Sequence, residues 1–308
     1  MSREHGIGRW LYAPLGWLFG VMARLPWGVL YALADVIFFI AYHLLRYRHK
    51  VVVENLTKCF PDKDQAWVRQ TARQFYRCFS DYVVETLKLL HVTDEEMKRR
   101  VVYENIEAVD DLLAGGKSIV AYFAHCFNWE WAPAITLWTT RRPDVDAVFA
   151  QVYRPLKNAW FDQWFYHLRG RFGSHSYAKS TVLRDLIMLR REGMPWMTGF
   201  MSDQKPSHGD PTLPLMFLNR PTAMITGTET LARKLRTAVV YMDIERLRRG
   251  YYRVTIRHIC DDASQMPEHE VTRAYARLLE NTILRNPPIW LWSHKRWKYP
   301  VTLDNGQQ

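Results

Sequence analysis

The stretch Ile119-Val-Ala-Tyr-Phe-Ala-His125-Cys-Phe-Asn128-Trp-Glu130-Trp131 decides how the rest of the chain is read. It opens as an apolar run of strand length and stops just before a histidine, and Asn128 then offers a helix N-cap ahead of an aromatic-rich start. A strand that turns into a helix at a polar residue is the local pattern of an α/β domain, and active groups favour that junction. Working outward, short apolar runs recur at Ala147 to Val152, Pro195 to Met201, Ala238 to Ile244 and Tyr251 to Ile259. Helix-length patterns lie between them, at about Trp129 to Thr140, Leu156 to Arg169, Thr181 to Glu192 and Ile225 to Leu235. Strand and helix alternate, so an α/β fold is predicted.

Two further helices frame this region. Asp64 is a plausible cap for one that places Trp67, Phe75, Phe79, Tyr82 and Val83 on one face. A last amphipathic helix, His269 to Arg285, aligns Val271, Tyr275, Leu278 and Thr282 before Pro287 and Pro288 end it. The N-terminus differs in kind: Trp10 to Ala23 and Leu25 to Leu45 are almost wholly apolar, interrupted mainly by Arg24, Pro26 and Asp35. As a helix the second stretch would extend about 31 Å, enough for a hydrocarbon core of about 30 Å. The basic cluster Arg46 to Lys50 follows at once and by the positive-inside rule assigns the remainder to the cytoplasm. Pro14, Gly16, Gly20, Pro26 and Gly28 leave open an interfacial helix pair in place of a full span. No small-residue cleavage site follows the apolar run, which argues against a removed signal peptide. The simplest partition is a membrane-anchoring segment, 1–50, and one catalytic domain, 51–308.

Composition narrows the function classes. At 308 residues and 48% apolar content the chain can fill a core, which excludes disorder as the default. Lys and Arg number 42 against 31 Asp and Glu, and the net charge of +11 points to an anionic partner. The 13 Trp, 16 Tyr and 14 Phe favour a membrane face, where amphipathic rings collect beside lipid phosphates, while the apolar N-terminus argues against nucleic acid. Cys59, Cys78, Cys126 and Cys260 lie far apart, so neither a metal site nor a disulfide framework is expected, and Cys126 reads as a buried structural thiol.

The chemistry centres on His125 and Glu130, an H-x4-E pair. Acyl transfer to an alcohol needs a base for the hydroxyl proton as the carbonyl is attacked, and a neutral imidazole suits that task. A turn could fold Glu130 back onto the imidazole, fixing its tautomer as a carboxylate does in a hydrolase triad, with the nucleophile supplied by the substrate. No G-x-S-x-G offers an enzyme-borne serine. Asn128 could donate its amide to an oxyanion or serve only as a cap.

The chain resembles the bacterial lipid A acyltransferases of the lauroyl and myristoyl type, within the wider glycerolipid acyltransferases that share H-x4-D/E. The resemblance runs over nearly the whole length. It rests on Tyr47-Arg-His-Lys50, Asn55-Leu56, Phe60-Pro61, His125 to Glu130, Val152-Tyr-Arg-Pro-Leu-Lys-Asn158, Ser202-Asp203-Gln204, Gly227 to Ala232 and Trp290 to Lys298 ahead of Pro300. Cys126-Phe127 departs from the Phe-Gly common in the family, so the turn after His125 is expected to differ slightly. The resemblance implies a single mixed-sheet domain flanked by helices, with His125 and Glu130 catalytic. It implies a fatty-acyl donor on acyl carrier protein or coenzyme A and an anionic lipid A precursor as acceptor, at the cytoplasmic face of a bacterial inner membrane, without a cofactor. Arg154 falls on the family's Tyr-Arg-Pro arginine and would bind acceptor phosphate or the oxyanion, a structural ion pair being the alternative. Asp203 and Gln204 would support the site or bind acceptor, or simply cap a loop. Two other readings stay open: an acyltransferase with a lysophospholipid, an amino-acid lipid or another glycolipid as acceptor, and a catalytically silent membrane protein that binds lipid or nucleic acid.

Overall fold

The computed structural model describes residues 4–303. The chain starts with α1 (Glu4–Arg24) and α2 (Trp27–Phe38), and α2 runs on into a π-helical turn, Phe39–Leu44. Next come α3 (His49–Cys59) and the long α4 (Gln65–Lys88), whose first turn is held by Asp64 accepting the Trp67 N–H at 2.7 Å. One face of α2, bearing Leu30, Ala34 and Phe38, is buried, with Leu30 and Ala34 clustered against Val84 of α4. Its other face leaves Val29, Val36, Phe39 and Ile40 exposed, as α1 leaves Trp17, Leu18 and Val21. Among the described residues, Trp27–Leu44 is one helical segment long and apolar enough to cross a membrane.

The remaining elements include a strand on each of the five apolar runs and four further strands, at 101–104, 175–178, 212–217 and 220–225, that the runs do not mark. They are α5 (Asp94–Arg100), β1 (Val101–Glu104), α6 (Glu107–Ala114), β2 (Ile119–Phe123), a 3-10 helix (Trp129–Leu137) and β3 (Val148–Tyr153). There follow α7 (Ala159–Gly170), β4 (His175–Ala178), α8 (Val182–Arg191), β5 (Trp196–Met201), the hairpin β6 (Thr212–Phe217) and β7 (Arg220–Ile225), and α9 (Gly227–Leu235). The long strands β8 (Ala238–Arg248) and β9 (Tyr251–Cys260) precede α10 (Glu270–Arg285).

Seven strands form one mixed sheet in the order β1-β9-β8-β2-β5-β3-β4, flanked by helices. Every pairing is parallel except β8 with β9, which share a tight turn at Gly250. All five residues of β2 are buried because it lies at the centre with both faces covered, so it reads as an unbroken apolar run. β5 pairs with β2 in the register Ala121↔Gly199, and a Cβ at Gly199 would come within 2.9 Å of the Phe123 ring. Glycine there lets that ring lie flat across the sheet.

The sheet edge is keyed to the N-terminal helices. Gly250 takes φ +73 and leaves the place of a Cβ to the Tyr31 hydroxyl from α2. That hydroxyl donates to Glu85 Oε1 at 3.2 Å, Arg249 donates to the Tyr31 carbonyl at 3.0 Å, and the Arg100 guanidinium lies 3.7 Å over the Trp27 ring.

Candidate active site

β2 ends at Phe123 and β5 ends next to it at Met201, so the residues just beyond each strand emerge side by side. His125 follows the first and Asp203 the second. The Asp203 carboxylate reaches Nδ1 of His125 at 2.8 Å through Oδ1, and its Oδ2 accepts the His125 backbone N–H at 3.1 Å. Oδ2 also accepts the Trp290 indole N–H at 2.9 Å. Burial opposes ionisation of Asp203, but the His125 imidazole and the three donors outweigh it and hold the carboxyl below the usual range. At neutral pH the carboxylate therefore fixes the proton on Nδ1 and leaves Nε2 free as a base.

Asp203 thus takes the place expected for Glu130. Asn128 caps the 3-10 helix as foreseen, its Oδ1 accepting the Glu130 N–H at 3.1 Å, and Glu130 lies in the first turn. From there its carboxylate meets Arg169 in the last turn of α7 in a two-pronged pair, both contacts 2.7 Å, and makes no hydrogen bond to His125. The spacing permits a turn back to the imidazole, but a guanidinium with two matched donors is the stronger partner for a buried carboxylate. Glu130 also accepts the Trp129 indole N–H at 3.1 Å, and the Trp129 ring stands edge-on to the His125 ring with centroids 5.2 Å apart.

Asn128 is fully buried, with Nδ2 donating to Glu85 Oε2 at 3.2 Å. The bonds its side chain makes are the cap to Glu130 and this one to Glu85, in keeping with the capping alternative. Glu85, itself buried, also accepts the Tyr252 hydroxyl at 2.8 Å. Cys126 is fully buried, as expected of a structural thiol. Arg154 stands exposed just past β3, two strands or about 10 Å across the sheet from β2. It has no carboxylate within ion-pair distance among the described residues, so the alternative of a structural pair finds no partner there. Gln204, half-buried, directly follows Asp203.

An apolar pocket is lined at one end by Ala124, Cys126 and Trp129, the neighbours of His125 in sequence. It passes Met242 of β8 and Val254 of β9 to Tyr103 of β1, and so spans four strands, or about 14 Å. A second pocket, lined by Phe149 and Gly199, shares Phe123, Ala132 and Met242 with the first.

Arg169, Trp290 and the pairing of Asp203 with His125 escaped the sequence reading. Trp290 belonged to a quoted motif, but nothing local indicates that its indole meets a residue 87 positions earlier.

A strand-end histidine fixed by a carboxylate beside an apolar cavity is an arrangement suited to removing a proton from a lipid hydroxyl. The sequence profile described as bacterial lipid A biosynthesis acyltransferase matches residues 2–299. The lipid A biosynthesis lauroyltransferase of Escherichia coli (strain K12) is 23% identical over 297 residues, which cover 94% of this chain and 90% of that protein. The chain, an acyltransferase, belongs to the bacterial lipid A biosynthesis acyltransferase family.

Proposed function

We propose that this enzyme transfers a fatty-acyl group from a thioester, on acyl carrier protein or coenzyme A, to a hydroxyl of a lipid A precursor. The observation that carries the reading is the His125–Asp203 pair, with Nδ1 occupied at 2.8 Å and Nε2 left to act, beside a long apolar cavity. His125 takes the acceptor's proton and Asp203 stabilises the imidazolium that results. Glu130 assists from a distance. Clamped by Arg169, it holds the Trp129 indole against the imidazole and so restricts how the ring can turn. The acyl chain lies along the apolar lining of this pocket, which must widen to admit it, and its burial is worth about 0.8 kcal/mol per methylene.

Arg154, exposed and without an ion pair among the described residues though Asp210 lies within electrostatic reach, meets an acceptor phosphate, with Gln204 supporting the acceptor near Asp203. Asn128 serves by shape, holding the turn between His125 and Glu130. The exposed apolar side chains of α1 and α2 sink into the cytoplasmic leaflet of the inner membrane, and Arg46, Arg48 and Lys50 meet its phosphates. Packing of α2 along α4, and the pairing of Asp35 with Arg249 at 2.8 Å, support an interfacial seat for residues 1–50 over a lone span.

The test is reconstituted protein in detergent or lipid with an acyl thioester and an acceptor. His125→Ala is expected to abolish transfer while thermal unfolding stays unchanged, and turnover like that of the native protein would refute the mechanism. Mass spectrometry of lipids from cells with and without the gene identifies chain and acceptor.

A further inference from the structure

A second imidazole stands beside the first. Residues 289–291 run antiparallel to 125–127: the Phe127 N–H donates to the Ile289 carbonyl at 2.9 Å and the Leu291 N–H to that of His125 at 3.1 Å. The chain then turns, the His294 N–H meeting the Leu291 carbonyl at 3.1 Å. Asn55 pins this turn by donating to the carbonyls of Trp292 (2.9 Å) and His294 (3.0 Å), and Arg48 donates to that of Ser293 at 3.0 Å. The His294 side chain is anchored to the other wall of the site. Its Nε2 accepts the backbone N–H of Lys205, two residues after Asp203, at 3.2 Å.

A ring nitrogen that accepts from an N–H carries no proton, so His294 is neutral and its proton is on Nδ1. Burial, with His125, Arg296 and Lys205 nearby, agrees by lowering its pKa to about 4 against the opposing pull of Asp203. Nδ1–H has no protein acceptor among the described residues, and the half-buried ring leaves it reachable. Two residues on, Arg296 is only 4% exposed yet has no carboxylate within ion-pair distance among the described residues. Its guanidinium donates to the Ala223 carbonyl and the Met224 sulfur. Asp203 acts electrostatically on both groups but bonds to neither, so an unused N–H donor with a buried cation two residues on is a place for a negative oxygen.

We infer that His294 is a catalytic residue whose Nδ1–H receives the carbonyl oxygen of the acyl thioester as it becomes an anion. The inference rests on the acyl-transfer reading above. The acceptor hydroxyl loses its proton to His125 Nε2 as its oxygen bonds to the carbonyl carbon. The carbonyl π pair moves to oxygen, where the His294 N–H holds it. When the carbonyl re-forms, the carbon–sulfur bond breaks and the thiolate takes the proton back from His125, which leaves an ester and a free thiol.

Four variants separate the possibilities. Asparagine can place an amide N–H where Nδ1–H was, whereas glutamine reaches the Nε2 position and keeps the contact with Lys205. His294→Ala and His294→Gln are expected to lower kcat by about 10²–10³-fold with KM little changed, the usual loss of one oxyanion donor. His294→Asn is expected to recover much of that loss. Rescue by glutamine but not asparagine would overturn the inference, because the bond to Lys205 would then be what matters. Native kcat in His294→Ala would overturn it as well. His125→Ala, assayed alongside, tells the two failures apart: activity there defeats the acyl-transfer mechanism, while loss there with native kcat in His294→Ala defeats only the role of His294.

Discussion

Asp203→Asn offers the most direct trial of the pair at the centre of the site. The carboxylate accepts three hydrogen bonds, from His125 Nδ1–H and, through Oδ2, from the His125 backbone and Trp290. An asparagine has one accepting oxygen and one donating nitrogen, so it must choose. With the oxygen towards the ring, its amide group confronts two N–H donors, and both lose their partner. With the oxygen towards those two donors, its amide donates to Nδ1 and drives the ring proton onto Nε2, the atom that must be bare. Each buried donor left unmade costs about 1–3 kcal/mol, so the second arrangement is preferred by about 2–6 kcal/mol. At about 1.4 kcal/mol per tenfold, the productive tautomer falls to between about one part in 30 and one in 10⁴. kcat/KM should fall by the same factor, measured as thiol release with a saturating acceptor. Thermal stability should hardly move, since the variant satisfies every partner in its preferred pose. Native turnover in a folded Asp203→Asn protein would show that the carboxylate does not set the imidazole, and the dyad reading would fail.

Other changes probe neighbouring parts. Glu130→Gln leaves Arg169 facing a neutral amide and is expected to cost about 2–3 kcal/mol of stability, read by thermal unfolding; the pH-rate profile should keep its shape because Glu130 does not touch His125. Phe123→Ala should join the two apolar cavities and shift preference to longer acyl chains, at about 3–5 kcal/mol of stability; unchanged selectivity across thioesters of graded length would remove the cavity from the acyl site. His294 carries its proton dependence in the opposite sense to a salt-bridged histidine. Its folded pKa is about 4 against an ordinary 6.5, so between these values the unfolded chain binds more protons. Stability should therefore fall as the pH drops through that window, and His294→Asn should flatten the fall in a series of unfolding midpoints.

Much of the fold was legible because its central strands are covered on both faces and so announce themselves as apolar runs, as β2, β5 and β8 do. Edge strands β1 and β4 are four residues long and carry polar or exposed positions, which erases that signal. The β6–β7 hairpin hid for a different reason. Its two turn residues, Leu218 and Asn219, take positive φ, and a leucine there gives none of the Asn-Gly or Asp-Gly cues that mark such turns. In the site, His125 and Asp203 were each readable as strand-end residues. Their meeting depends on β2 and β5 being neighbours although 78 residues separate the pair, and sequence spacing says nothing about adjacency in a sheet. The H-x4-E spacing misled about the contact for the same reason, since Arg169 is brought to Glu130 by the packing of α7.

The seating of Tyr31 over Gly250, with its hydroxyl on Glu85 and Glu85 in turn on Asn128, ties the N-terminal helices to the turn that carries the candidate site. Trimming residues 1–50 to gain solubility would open a slot at the β8–β9 corner and strip one donor from a fully enclosed acid that holds the turn after His125 through Asn128. Purification strategies for this enzyme should therefore keep the greasy end and supply amphiphile, because a shortened version would lose a support of its own interior.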